Sequence, residues 1–272
     1  MASNLIPLPA LWNGNRERRN SSSLDYQTAA VPTLSSREIA PSLYSLIESM
    51  GPFPPYSVVV GQCRDGLPLM IDLDNPKSGS ILVVGENVYE KTQIMKTLGH
   101  SASLINKPGL VQISLISNNI SRYSDLEQYP NCHAWHHAYD RAAAEMIIEL
   151  ASLAEQRRWG RERGRAMMLL IDDFQSLAPI LSDDRIYLSF KTLVSRGPTS
   201  GIWPILSINP GDERSDQGQL LHSFGTYIFE KVSRDLSSAG NSNNARQAGL
   251  SYPPNYNVII GGRLIPISVL SV

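Results

Sequence analysis

The residues best suited to chemistry form one run: Gly85-Glu86-Asn87-Val88-Tyr89-Glu90-Lys91-Thr92. It follows the apolar stretch Ile81-Leu82-Val83-Val84 and precedes a segment of helical pattern. A glycine, a short loop and then Lys-Thr, set between a strand and a helix, is how a backbone cradle for phosphate is built. Loop and helix N-terminal N–H groups hold the phosphates. Lys91 would reach the β- and γ-phosphates of ATP, and the Thr92 hydroxyl would ligate Mg²⁺. Position 90, where the pattern requires glycine, is glutamate. Glycine serves where backbone must approach a ligand closely, and Glu90 adds both bulk and charge. Like charges about 4 Å apart repel by about 1 kcal/mol in water and about 4 kcal/mol at an effective dielectric of 20. Val88 and Tyr89 also stand where small residues are usual. ATP and Mg²⁺ are therefore the expected ligands, with Glu90 opposing them. The competing reading is a chance Gly-x₅-Lys-Thr.

A second constellation weakens that competing reading. Met167-Met168-Leu169-Leu170-Ile171-Asp172-Asp173 is an apolar strand ending in two acids. Asp172 would hold Mg²⁺ through water, and Asp173 would orient or deprotonate an attacking water. The alternative is a buried strand whose acidic turn caps the next helix. His133, His136 and His137 lie close in sequence, but a metal site needs ligands that converge on one point with further acids or thiols, and they read instead as exposed histidines of a strand-to-helix loop. No Gly-x-Ser-x-Gly elbow supports a serine hydrolase. Arg157, Arg158, Arg161, Arg163 and Arg165 with Trp159 form a basic run suited to a nucleic-acid backbone, diluted by Glu155 and Glu162. DNA is thus a possible partner.

The elements that must position these residues follow from periodicity. Residues 1–55 read as a disordered or extended arm carrying one short helix over Ser36–Met50, stopped by Gly51 and followed by the stiff Gly51–Pro55 linker. Residues 56–272 read as one domain. Val58–Gly61 and Leu67–Leu73 form a hairpin turning at Arg64-Asp65-Gly66. Ser80–Val84, Leu110–Ser117, Met167–Ile171, Ile202–Ile208 and Thr226–Glu230 read as strands, and Cys132–His136 as a short one. Helices are expected over about Lys91–Leu104, Tyr139–Arg158 and Ser182–Ser195. Asn257–Ile260 and Arg263–Leu270 around Gly261-Gly262 form a terminal hairpin. Alternating strands and helices imply an α/β fold with a central, mostly parallel sheet covered by helices on both faces.

Composition sets the outer limits. The 272 residues are 42% hydrophobic and 18% charged, so a substantial core is expected. A net charge of −1 gives no global basic field. Arginine outnumbers lysine 18 to 6. Cys63 and Cys132 make no disulfide framework. No apolar run reaches the about 18 residues that span a bilayer, and Pro7 and Pro9 break the N-terminal apolar stretch, so a cytoplasmic protein is expected.

From Tyr56 onward the sequence resembles the FtsK/SpoIIIE/HerA group of ring-forming P-loop motors, which includes the EccC ATPases of type VII secretion. Gly61, Pro68, Asp72 and Leu73 resemble the pattern ahead of the group's phosphate loop. Ser78–Gly85 is similar to its strand into that loop, Glu149–Trp159 to its arginine-rich helix end, and Ile171–Phe174 to its acidic strand end. Arg196-Gly197 with Gly201–Pro210, and Thr226–Ser233, are similar to its two later motifs. The resemblance implies a P-loop NTPase core, RecA/HerA-FtsK-like, in a homo- or hetero-oligomeric ring. It also implies that Asn209 senses the γ-phosphate, with Ser207 nearby, and that Arg196 lies where a neighbour's phosphate can be reached. A helix-terminal arginine favoured by the macrodipole is the alternative for Arg196. Two departures, Glu90 for glycine and Asp173 for the usual glutamate, point to weakened or lost hydrolysis. A non-binding scaffold, an active DNA translocase and an unrelated α/β protein remain the alternatives.

Overall fold

The computed structural model describes residues 41–160, 164–210, 218–230 and 255–272, all within the compact unit Glu38–Val272. It opens with α1 (Leu43–Met50), which begins later than the expected Ser36; positions 36–40 lie outside the described residues. Leu43 and Leu46 of α1 pack with Val59 and Leu270, so this helix is fastened to the body beyond the proline linker.

The expected first hairpin is β1 (Ser57–Cys63) and β2 (Pro68–Asp72). The alternating core follows: β3 (Ile81–Val84), α2 (Val88–Ile105), β4 (Val111–Ser117), β5 (Cys132–His136), α3 (Arg141–Gly160), β6 (Ala166–Asp172), α4 (Phe174–Leu181), α5 (Asp184–Arg196), β7 (Ile202–Ile208), α6 (Gly218–Leu221) and β8 (Thr226–Glu230). The chain closes with the hairpin β9 (Tyr256–Ile260) and β10 (Arg263–Ser268).

All ten strands form one sheet, ordered β2-β1-β10-β9-β8-β3-β7-β6-β4-β5. From β8 to β5 every neighbouring pair is parallel; from β8 to β2 every pair is antiparallel. The two hairpins thus extend the parallel block. Alternation along the buried strands splits the core. Val83, Met168 and Leu170 pack with Ile94 and Leu98 of α2. Leu82, Leu169 and Ile171 pack with Ile147 and Leu150 of α3 and with Phe190 and Leu193 of α5. The result is a parallel sheet covered on both faces, as expected for βαβ connections.

One glycine pair sets the entry to β3. Gly79 has φ +63°, and a Cβ there would lie 2.7 Å from the Gly225 Cα. Two glycines are needed for that backbone crossing.

Candidate nucleotide site

Parallel register brings the chemistry to one end of the sheet. β7 lies between β3 and β6, so the C-terminal ends of these three strands carry Gly85, Asp172-Asp173 and Asn209 side by side. Ligands of open α/β sheets bind at this carboxyl end.

Lys91 is buried, and its ammonium donates to the Ile208 carbonyl at 3.3 Å and to the Asn209 side-chain oxygen. Asp172 is also buried. Its Oδ1 accepts from the Ser207 hydroxyl at 2.8 Å, and the Ser117 hydroxyl lies 3.5 Å from Oδ2. The Ser207 oxygen in turn accepts the Asp173 N–H at 2.9 Å. Asp173 has φ +72°, an unusual conformation for a residue with a side chain. It stands at the N-cap of α4 without a side-chain capping bond. The helix-capping alternative for this acid pair is therefore met in position but not in hydrogen bonding.

At the metal end, two of the buried hydroxyls without a hydrogen-bond partner among the described residues are Thr92 Oγ1 and the Tyr123 hydroxyl. Tyr123, from the 3₁₀ turn Ile120–Leu126, lies beside both Asp172 and Thr92. Burial, and then the Asp172 charge, push its phenol well above the ordinary range. Orphaned buried polar atoms cost stability unless something satisfies them. Two such hydroxyls beside a carboxylate fit an oxygen-seeking cation such as Mg²⁺, and Thr92 and Asp172 are the residues that would hold it. Tyr123 was not anticipated; nothing in its local sequence marks it.

The phosphate end differs from expectation. The helix predicted from about Lys91 starts at Val88, so Glu90 stands in its first turn and not in a loop. Asn87 is the reason. Its side-chain oxygen accepts from the N–H groups of Tyr89 at 3.0 Å and Glu90 at 3.4 Å. The Lys91 N–H is taken by the Asn87 carbonyl at 3.1 Å. An N-cap asparagine satisfies the donors that would otherwise face an anion. The Glu86 N–H meets Glu230 Oε2 at 3.4 Å. A Cβ on Gly85 would meet the Tyr256 hydroxyl at 2.9 Å and Glu230 Oε2 at 3.7 Å. Burial, and then the Glu230 charge, raise the proton affinity of Glu90, partly offset by Tyr256. With the Glu86, Tyr89, Glu90 and Lys91 N–H groups already bonded and two carboxylates beside them, this end does not fit a triphosphate.

Arg196 is not at this site. It ends α5, just before the N-terminal end of β7, and donates to Glu155 at 3.2 Å. The seven residues of β7 separate it from Asn209, roughly 20 Å at about 3.3 Å per residue. In the basic run, Arg157 donates to the carbonyls of Arg165 and Ser200, and Arg158 lies over the exposed Trp159 ring. Arg161 and Arg163 lie outside the described residues. Among the described residues no group of three or more His, Cys, Asp or Glu side chains converges as a metal site, and no helix is long and apolar enough to cross a membrane.

No protein-family model and no curated protein matches the chain. Solved structures do match. The cytoplasmic domain of the type VII secretion ATPase EccC from Thermomonospora curvata aligns with TM-score 0.63 at 15% identity, over 86% of this chain and 32% of that one. The conjugation coupling protein TcpA of pCW3, in its monomer form with ATPγS, aligns with TM-score 0.55 at 16% identity, over 87% and 70%. VirB4 of Thermoanaerobacter pseudethanolicus aligns with TM-score 0.51 at 10% identity, over 82% and 98%. The fold is therefore that of an FtsK/SpoIIIE-type P-loop ATPase core. At these identities the likeness is one of fold, and the chain spans about a third of the EccC domain's length.

Proposed function

We propose that the chain is an FtsK/HerA-type P-loop subunit in which ATP hydrolysis is weakened or lost, acting within an oligomeric ATPase assembly or in its regulation. The observation that carries this reading is the Asn87 cap, whose side chain takes the N–H groups of Tyr89 and Glu90 at the point where phosphate would be held. Phosphate binding at a helix N-terminus depends on free N–H groups there, and replacing the cap by phosphate would also bring the anion toward Glu90 and Glu230. Bound ATP would supply a phosphoryl group and Mg²⁺ its charge neutralisation. This chain's own residues orient only the metal end: Thr92 and Asp172 both lie beside Tyr123, and Ser207 fixes the Asp172 carboxylate.

The partners follow by analogy of fold. EccC ATPases 2 and 3 have been solved with a signal sequence peptide, and TcpA with ATPγS. By extension, this chain works beside other ATPase-fold chains of a secretion or conjugation assembly. A second reading, in which Mg²⁺-dependent nucleotide binding is retained, is favoured by the orphaned Thr92 and Tyr123 hydroxyls. The test is phosphate release from MgATP. The expected result is no turnover above background; turnover near the about 1 s⁻¹ that begins the ordinary enzyme range overturns the proposal.

A further inference from the structure

We infer that Glu230, at the end of β8, determines what this loop accepts: it occupies the loop donor that a phosphate would need, and so excludes phosphoanions. The inference deepens the reading of weakened nucleotide use and rests on it. From sequence, Glu90 is the obvious obstacle. In the fold Glu90 belongs to the first turn of α2, whereas Glu230 reaches the loop itself. Glu230 Oε2 lies 3.4 Å from the Glu86 nitrogen and would lie 3.7 Å from a Cβ on Gly85. A phosphate oxygen seeking the Glu86 N–H must displace a carboxylate oxygen already in place.

A second observation points to the same spot. Tyr256 is fully buried, and its hydroxyl sits against Gly85 without a well-formed hydrogen bond among the described residues, facing the charge of Glu90 first and then that of Glu230. A buried donor left unsatisfied is costly. With the Glu230 charge removed, the Tyr256 O–H and the Glu86 N–H together offer two donors at the mouth of the loop, on the side where Lys91 Cγ approaches Gly85. Removing Glu90 alone leaves the Glu86 N–H still occupied.

Magnesium pyrophosphate is the probe, because it isolates the phosphate end from base recognition. Its binding is measured by calorimetry on the full chain for the wild type, Glu230→Gln, Glu90→Gly and Glu230→Gln/Tyr256→Phe, with thermal melts to establish folding. Glu230→Gln is expected to bind roughly tenfold or more tightly than the wild type, the scale of removing one nearby like charge. Glu90→Gly is expected to gain less, and Tyr256→Phe to forfeit part of the Glu230→Gln gain. Glu230→Ala serves as a second neutral variant should the glutamine form melt without cooperativity. A larger gain from Glu90→Gly, or no gain in any variant, overturns the role of Glu230 and leaves the proposed loss of nucleotide use standing. Micromolar binding by the wild type overturns both.

Discussion

The Ser207 hydroxyl donates to Oδ1 of Asp172 across 2.8 Å, joining the ends of β7 and β6. The same oxygen accepts the Asp173 N–H, so one side chain orients the buried carboxylate and braces the residue with positive φ. Ser207→Ala strips a donor from a buried charge and an acceptor from a backbone N–H. The expected loss is about 2–3 kcal/mol, read from urea unfolding. A change under about 0.5 kcal/mol would mean that this link does not hold the strand ends together.

Asn87 offers a separate test of where α2 begins. Asn87→Ala is expected to cost about 1 kcal/mol, while Asn87→Gly costs only a few tenths, because glycine tolerates the cap position. Thermal melts of the two variants give the comparison. Equal stability of Asn87→Ala and the wild type would place the helix start elsewhere.

The strands that carry the site are legible in the sequence because each is a short apolar run. Ile81–Val84, Ala166–Asp172 and Ile202–Ile208 need no long-range information beyond burial on both faces. With them come Lys91, Asp172, Asp173 and Asn209 at one sheet end. The start of α2 was also written locally. Asn87 three residues before Glu90 is an N-cap signature, but the phosphate-loop pattern over the same residues outweighed it. Tyr123, Glu230 and Tyr256 could not be found that way: they reach the site from the turn after β4, from β8 and from β9, and only tertiary packing assigns them. The terminal hairpin was legible as a hairpin; its pairing through β10 to β1 was not, since strand order is a long-range property.

Tyr123→Phe probes the orphaned hydroxyl beside Asp172. The ring stays and an unpartnered buried O–H is removed, so stability is expected to hold or rise by up to about 1 kcal/mol. Urea unfolding in metal-free buffer measures it. A loss above about 1 kcal/mol would show that the hydroxyl has a partner after all.

His100 gives the fold a pH dependence of known sign. It is buried, with Nε2 3.1 Å from Asp125 Oδ2, and Nδ1 3.2 Å from the Tyr129 hydroxyl and 3.3 Å from that of Tyr44 on α1. Burial lowers its proton affinity, and Lys96 adds to this; Asp125 opposes without prevailing. The unfolded chain therefore takes up the proton first. Stability is lost as pH falls below about 6.5, by at most about 1.4 kcal/mol per pH unit, until the folded imidazole also titrates. Urea unfolding of the wild type and His100→Gln between pH 7.5 and 5.5 checks this: the slope is expected to be shallower in the variant. Parallel slopes would contradict it.

The most direct measurement is calorimetric titration of the full wild-type chain with MgATP. The capped helix start and the Glu230 contact lead to no saturable binding below about 1 mM, a standard free energy weaker than about −4 kcal/mol. A dissociation constant in the micromolar range would contradict the closed phosphate end.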